Sequence, residues 1–184
     1  RGNSGGYLDQ AIKILNEFFS NGELLVYTEG HARNIDKYRA NFFGLYKNGG
    51  LYVLIDGASA SASEIIAGAI QDHERGIIIG EKSFGKGLVQ EQIPLSDGSL
   101  IRLTVSRYYT PLGRCIQKPY SYDEDIYWDP NSKKNLNIDT LQQFFTKSGK
   151  TVYGGGGITP DEIIDENDEM LLKELLQRHP GNSK

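Results

Sequence analysis

The sequence predicts an α/β domain built from βαβ units around a parallel sheet, on three observations. Two short apolar runs, Leu51-Tyr-Val-Leu-Ile-Asp56 and Gly76-Ile-Ile-Ile-Gly80, have the form of strands buried on both faces. Between them lies a stretch with helical periodicity, so strand, helix and strand alternate. A length of 184 residues is enough for one domain with a sizeable core.

Taken in order, the elements support that class. The chain opens without Met on the glycine-rich turn Arg1-Gly-Asn-Ser-Gly-Gly6. Such a turn normally follows a strand, so the fold is expected to be truncated at the N-terminus, with any targeting segment lost upstream. Tyr7 to Ser20 reads as an amphipathic helix, with Leu8, Ala11, Ile12, Leu15, Phe18 and Phe19 at three- and four-residue intervals and Asn21-Gly22 as its stop. Leu24 to Thr28 is a short strand-forming run, and Glu29 to Asn48 a polar loop or hairpin. Gly57 to Ala60 makes a tight turn of small residues; Ser61 to Glu74 follows as a helix with Ile65, Ile66, Ala69 and Ile70 inward. Leu88 to Leu95 and Ser99 to Tyr109 alternate around Ser96-Asp-Gly98, which predicts a hairpin. Pro119 to Asn137 is polar, aromatic and irregular, and Tyr120 to Trp128 within it suggests no role. Leu141 to Lys147 is expected to form a short helix, Gly154 to Gly157 a tight loop, Glu166 to Arg178 a closing helix, and Gly181 to Lys184 a frayed end. The expectation is one domain over 1–184, with a hairpin and a helix extending its C-terminal side.

Composition narrows the function. Lys and Arg number 20 against 24 Asp and Glu, for a net charge of −4 with no basic block, which argues against nucleic acid as a partner. No run approaches the roughly 18 apolar residues of a membrane span. Cys115 is the only cysteine, which excludes an intrachain disulfide and a cysteine-based zinc site.

Two segments carry the chemistry. Ala58-Ser-Ala-Ser-Ala-Ser-Glu64 sits at the exit of a strand and the entry of a helix, where an exposed serine can act as nucleophile and helical N–H groups can face an oxyanion. The same letters, Ser61 to Glu64, also spell a capping box, in which Ser61 is only an N-cap. A serine nucleophile needs a base. His31 lies in a polar loop, His73 at a helix end and His179 in the tail, and all three read as solvated. Lys86 lies between two glycines in Ser83-Phe-Gly-Lys-Gly87, just after a strand; a lysine acts as base only when neutral, and Lys82 is its rival.

Together these segments resemble the carboxyl-terminal processing peptidases, the tail-specific serine proteases of peptidase family S41. The resemblance rests on Ser59-Ala-Ser-Ala-Ser-Glu64, on Phe84-Gly-Lys-Gly-Leu-Val-Gln90, and on Asn3-Ser-Gly-Gly6, where Ser4 stands in a place more often held by proline. Tyr109-Thr-Pro-Leu-Gly-Arg114, Ile116-Gln117 and Gly154-Gly-Gly-Gly-Ile-Thr-Pro-Asp161 extend it. The interval of 25 residues from Ser61 to Lys86 is the family's, and selects this pair over Ser59, Ser63 and Lys82.

The resemblance implies a crotonase-like (ClpP/crotonase) core. It implies Ser61 as nucleophile, Lys86 as general base, Gln90 holding the lysine, and the N–H groups of Gly6 and Ala62 as oxyanion hole. Asp72 matches a supporting acid. No cofactor or metal is implied. Substrates would be apolar C-terminal segments of proteins or peptides, captured by a PDZ-like domain absent from this chain, in the periplasm or bacterial cell envelope; a homo-oligomer is compatible. Competing readings are a non-catalytic binding module on the same fold and an acyl-CoA enzyme of the crotonase type.

Overall fold

The computed structural model describes residues 1–41, 44–119 and 142–164. Their elements are α1 (Leu8–Asn16), β1 (Leu24–Gly30), β2 (Arg33–Arg39), β3 (Tyr52–Ile55), α2 (Ala62–Asp72), β4 (Ile77–Gly80), β5 (Leu88–Pro94), β6 (Leu100–Tyr109), β7 (Gln143–Phe145), β8 (Thr151–Tyr153) and β9 (Glu162–Ile163).

β3, α2 and β4 form the expected βαβ unit. β3 and β4 run parallel with Val53 opposite Ile78, and β9 joins in parallel to give the order β3-β4-β9. The second sheet is antiparallel, in the order β2-β1-β6-β5. Its β5–β6 hairpin closes through Asp97, whose carboxylate accepts from the N–H and hydroxyl of Ser99 at 2.9 and 2.6 Å. The polar segment after Thr28 is a hairpin, with Thr28 opposite Asp36. Between the sheets lies one core in which Ala11 and Leu15 of α1, Ile65 and Ile70 of α2, Leu25 and Val26 of β1, Ile78 of β4 and Tyr108 of β6 are buried together with Ile116 and Ile158. Apolar burial of this kind is the main favourable term for the fold.

Several expectations are corrected. α1 ends at Asn16, short of Ser20, because the chain tightens into three-residue turns, with Glu17 N–H on the Ile14 carbonyl and Phe18 N–H on that of Leu15. Phe19 is buried all the same. β3 is not buried on both faces: Tyr52 and Leu54 are 37% and 41% exposed while Ile55 is buried, whereas in β4 the neighbours Ile78 and Ile79, which point to opposite faces, are both buried and only the end residue Ile77 is exposed. The helix expected over 141–147 is instead a strand and turn. β7 pairs with β8, with Phe144 opposite Val152 and Gly149 N–H closing on the Thr146 carbonyl at 3.0 Å. Two adjacent phenylalanines favour a strand, and Glu74 anchors the turn by accepting from Thr146 Oγ1 at 2.7 Å. The irregular stretch lies, apart from Pro119, outside the described residues, as do the closing helix over 166–178 and the tail. Among the described residues no helix is long and apolar enough to cross a membrane.

Candidate active site

Ser61 stands between β3 and α2 with φ 57° and ψ −119°. Among the described residues only Glu74 shares a positive φ without being glycine. Such a conformation costs about 1–3 kcal/mol and persists where the surroundings enforce it. An ordinary N-cap residue is extended and accepts a helical N–H on its side chain. Here the capping box is present, with Glu64 reaching back to the Ser61 N–H at 2.8 Å and the Ser61 side chain toward the Glu64 N–H, although that N–H bonds the Ser61 carbonyl at 2.9 Å. The two neighbouring serines are engaged: Ser59 Oγ donates to Asp56 Oδ1 at 3.0 Å, and Ser63 Oγ to the carbonyls of Asn3 and Ala60, both at 2.7 Å.

The opening glycine turn is packed on this elbow. Asn3 O accepts the Ala60 N–H at 3.0 Å. Gly5 has φ +93°, and a Cβ there would lie 2.5 Å from Ala60 O and 2.9 Å from Ser61 Cβ, so only glycine fits. Gly6 follows it, and Ala62 is the first residue of α2. Among the described residues neither the Gly6 nor the Ala62 N–H carries a hydrogen bond.

The loop carrying Lys86 is held by the buried carboxylate of Glu64. Its Oε1 accepts Ser83 Oγ at 2.5 Å and Gly85 N–H at 2.8 Å; its Oε2 accepts Lys86 N–H at 2.9 Å as well as Ser61 N–H at 2.8 Å. The backbone nitrogens of Ser61 and Lys86 therefore meet on one oxygen, within about 5.7 Å of each other. Burial pushes the Glu64 carboxyl above the usual range, and the bonds from Ser83, Lys86, Gly85 and Ser61 draw it part of the way back. From the other side Tyr108 donates its hydroxyl to the carbonyls of Ser61, at 3.0 Å, and of Lys86. Gln117 Oε1 accepts the Gly87 N–H at 2.9 Å. Gly85 has φ +89° and would place a Cβ 3.0 Å from Gly157 N. Among the described residues the Lys86 ammonium has no hydrogen bond or ion pair, and the Ser61 hydroxyl donates to no acceptor. Both side chains are half-buried.

The other expected residues lie on separate elements. Gln90 lies exposed on β5, its amide donating to Thr104 Oγ1 at 3.5 Å. Asp72 sits at the far end of α2, about 16 Å of helix rise from Ser61. It is buried, ion-paired with buried Arg114 at 2.5 Å, and accepts the Leu112 N–H at 2.9 Å. That is a structural arrangement, holding segment 110–114 to the helix. His73, expected to be solvated, is half-buried, with Nε2 2.7 Å from the Leu24 carbonyl. Lys82 is half-buried, and burial lowers its pKa. Sequence reasoning gave Glu64 only a capping role and did not single out Tyr108. A signal for Glu64 was present: it is the sole charge between Gly57 and Gln71.

Comparison with known proteins adds the family. Residues 1–127 match the family described as peptidase family S41. The chain belongs to that family. A carboxy-terminal-processing protease of Bartonella bacilliformis is 50% identical to this S41 chain over 116 residues, 62% of the chain and 26% of the relative. A probable CtpA-like serine protease of Staphylococcus epidermidis is 38% identical, covering 96% of the chain and 38% of the relative. Among solved structures, a photosystem II D1 C-terminal processing protease superposes with a TM-score of 0.63 at 31% identity, over 90% of the S41 chain and 33% of its own length. A putative S41 protease from Bacteroides fragilis gives the same TM-score at 16% identity, a likeness of fold. The S41 chain thus spans between a quarter and two-fifths of the length of these curated relatives.

Proposed function

We propose that this chain carries the chemical groups of a serine endopeptidase that cleaves protein substrates near their C-terminus, on a crotonase-like core. The observation that carries the reading is that Ser61 and Lys86 present their N–H groups to one oxygen of Glu64, which brings their backbones together and leaves the Ser61 hydroxyl proton and the Lys86 ammonium without an acceptor.

The chemistry is acyl transfer. Neutral Lys86 takes the hydroxyl proton of Ser61 as Oγ attacks the scissile carbonyl. Negative charge develops on the carbonyl oxygen, and the N–H groups of Gly6 and Ala62 are the proposed donors; such a donor is worth about 10²–10³ in rate. Protonated Lys86 gives its proton to the leaving amine, and water, deprotonated by the same lysine, hydrolyses the ester. Gln90, four residues beyond Lys86, is the proposed support for the lysine.

The names of the relatives support C-terminal segments as substrate. An extended peptide laid along a strand edge would satisfy its backbone. In the whole protein a PDZ-like domain would capture the substrate tail, at the bacterial envelope.

The test is turnover of a C-terminally apolar peptide by the full-length protein. Ser61→Ala should abolish hydrolysis while the far-UV circular dichroism is unchanged. Lys86→Arg should be as damaging, because guanidinium does not release its proton at working pH. Turnover near wild type in Ser61→Ala would sink the reading.

A further inference from the structure

We propose that Tyr108 is a positioning residue for the catalytic pair, its single hydroxyl bridging the backbone carbonyls of Ser61 and Lys86. The inference rests on the Ser61–Lys86 reading above and names what sets the spacing of the two residues.

Tyr108 is 1% exposed and lies on β6, facing the core. β6 is fixed on both sides of it. Thr28 of β1 stands opposite, and the Tyr108 N–H donates to the Gly87 carbonyl at 3.0 Å. A buried phenol finds a hydrogen-bond partner, and here both partners are main-chain groups of the residues proposed to react. Burial, with the Glu64 charge adding to it, pushes the phenol far up, so the group remains a donor throughout the working range.

The two carbonyls are not equally dependent on it. Ser61 O also accepts the N–H groups of Glu64 and Ile65, at 2.9 and 3.1 Å. Lys86 O has no other donor among the described residues. Removing the hydroxyl therefore leaves the Lys86 carbonyl without a donor, while the Ser61 carbonyl keeps two. Glu64 Oε2 already ties the two N–H groups, so Tyr108 completes the clamp on the carbonyl side. With one side of the clamp gone, Lys86 can shift relative to Ser61, and a misplacement of about 1 Å can cost on the order of 100-fold in rate.

The experiment is steady-state kinetics and a pH–rate profile on Tyr108→Phe in the full-length protein, beside Ser61→Ala. We expect a fall in kcat of roughly 10- to 100-fold with KM within about twofold, and a displaced acid limb of the profile. Wild-type kcat in folded Tyr108→Phe overturns the proposal, as does a loss confined to KM. If Tyr108→Phe does not fold, 3-fluorotyrosine at position 108 keeps the ring and the hydroxyl but alters donor strength. A changed kcat at unchanged Tm then supports the bridge, and an unchanged kcat overturns it. Turnover by Ser61→Ala would remove the peptidase reading itself; an inactive Ser61→Ala beside a wild-type Tyr108→Phe removes only the role of Tyr108.

Discussion

Glu64→Gln exchanges one oxygen for an amide nitrogen and changes almost nothing in volume, yet the structure predicts a substantial loss. Each carboxylate oxygen of Glu64 takes two donors: Ser83 Oγ and Gly85 N–H on one, Ser61 N–H and Lys86 N–H on the other. An amide nitrogen has no lone pair to offer. Placed toward Ser61 and Lys86 it would oppose two N–H groups. Placed on the other side it would oppose Gly85 N–H and a Ser83 hydroxyl that already accepts the Ile158 N–H at 2.7 Å. Either orientation leaves two buried donors poorly satisfied, at about 1–3 kcal/mol each, for a gross loss of about 2–6 kcal/mol. Relief of the burial penalty on the carboxylate offsets part of this, leaving a net loss of about 1–4 kcal/mol. Urea unfolding followed by circular dichroism measures it, with kcat expected to fall in the same variant. A midpoint and slope matching wild type, with unchanged kcat, would refute the view of Glu64 as the joint between elbow and base loop.

Gly5→Ala forces a Cβ against Ala60 O and Ser61 Cβ at a positive φ; turnover should fall on the order of 100-fold, and wild-type turnover would show that the glycine turn does not set the elbow. Asp72→Ala leaves the Arg114 guanidinium buried without its counter-charge, so unfolding free energy should drop by about 3–5 kcal/mol; a drop under about 1 kcal/mol would contradict the buried pair. Lys82→Met separates the rival lysine from Lys86. Burial lowers the Lys82 pKa, so the native state binds fewer protons than the unfolded one between the lowered and the ordinary value, and stability rises with pH through that window. Lys82→Met should remove that rise, raise Tm at neutral pH and retain turnover; lost turnover in a folded variant would make Lys82 the base.

The parts of this molecule that were legible in the sequence are those decided by near neighbours along the chain. The apolar runs at 51–56 and 76–80 gave β3 and β4, the periodicity after Ser61 gave α2, and Asp97-Gly98 gave the hairpin. What periodicity could not tell is which partner covers a face, so the exposure of Tyr52 and Leu54 was not foreseen. The strand at 143–145 was missed because its pairing with Thr151–Tyr153 and the anchor from Glu74 lie beyond a helical window. The site divides the same way. Ser61 and Lys86 were singled out by the resemblance, whose 25-residue interval chose them over their neighbours. Glu64 looked like a local cap because its nearer bond is three residues away, whereas the bonds to Ser83, Gly85 and Lys86 cross about twenty residues. The Tyr108 hydroxyl reaches Ser61 across 47 residues, a separation on which residue patterns are silent.

Ser83 also bears on the order of events during synthesis. Its hydroxyl accepts the Ile158 N–H and donates to Glu64, so the wiring of the elbow includes a residue made long after Ser61 and Lys86. When Lys86 is added to the growing chain, neither Tyr108 nor Gln117 nor Ile158 has yet been made. Contacts of such separation close late in folding. A nascent chain therefore carries Ser61 and Lys86, the proposed nucleophile and base, before the residues that frame them have been made.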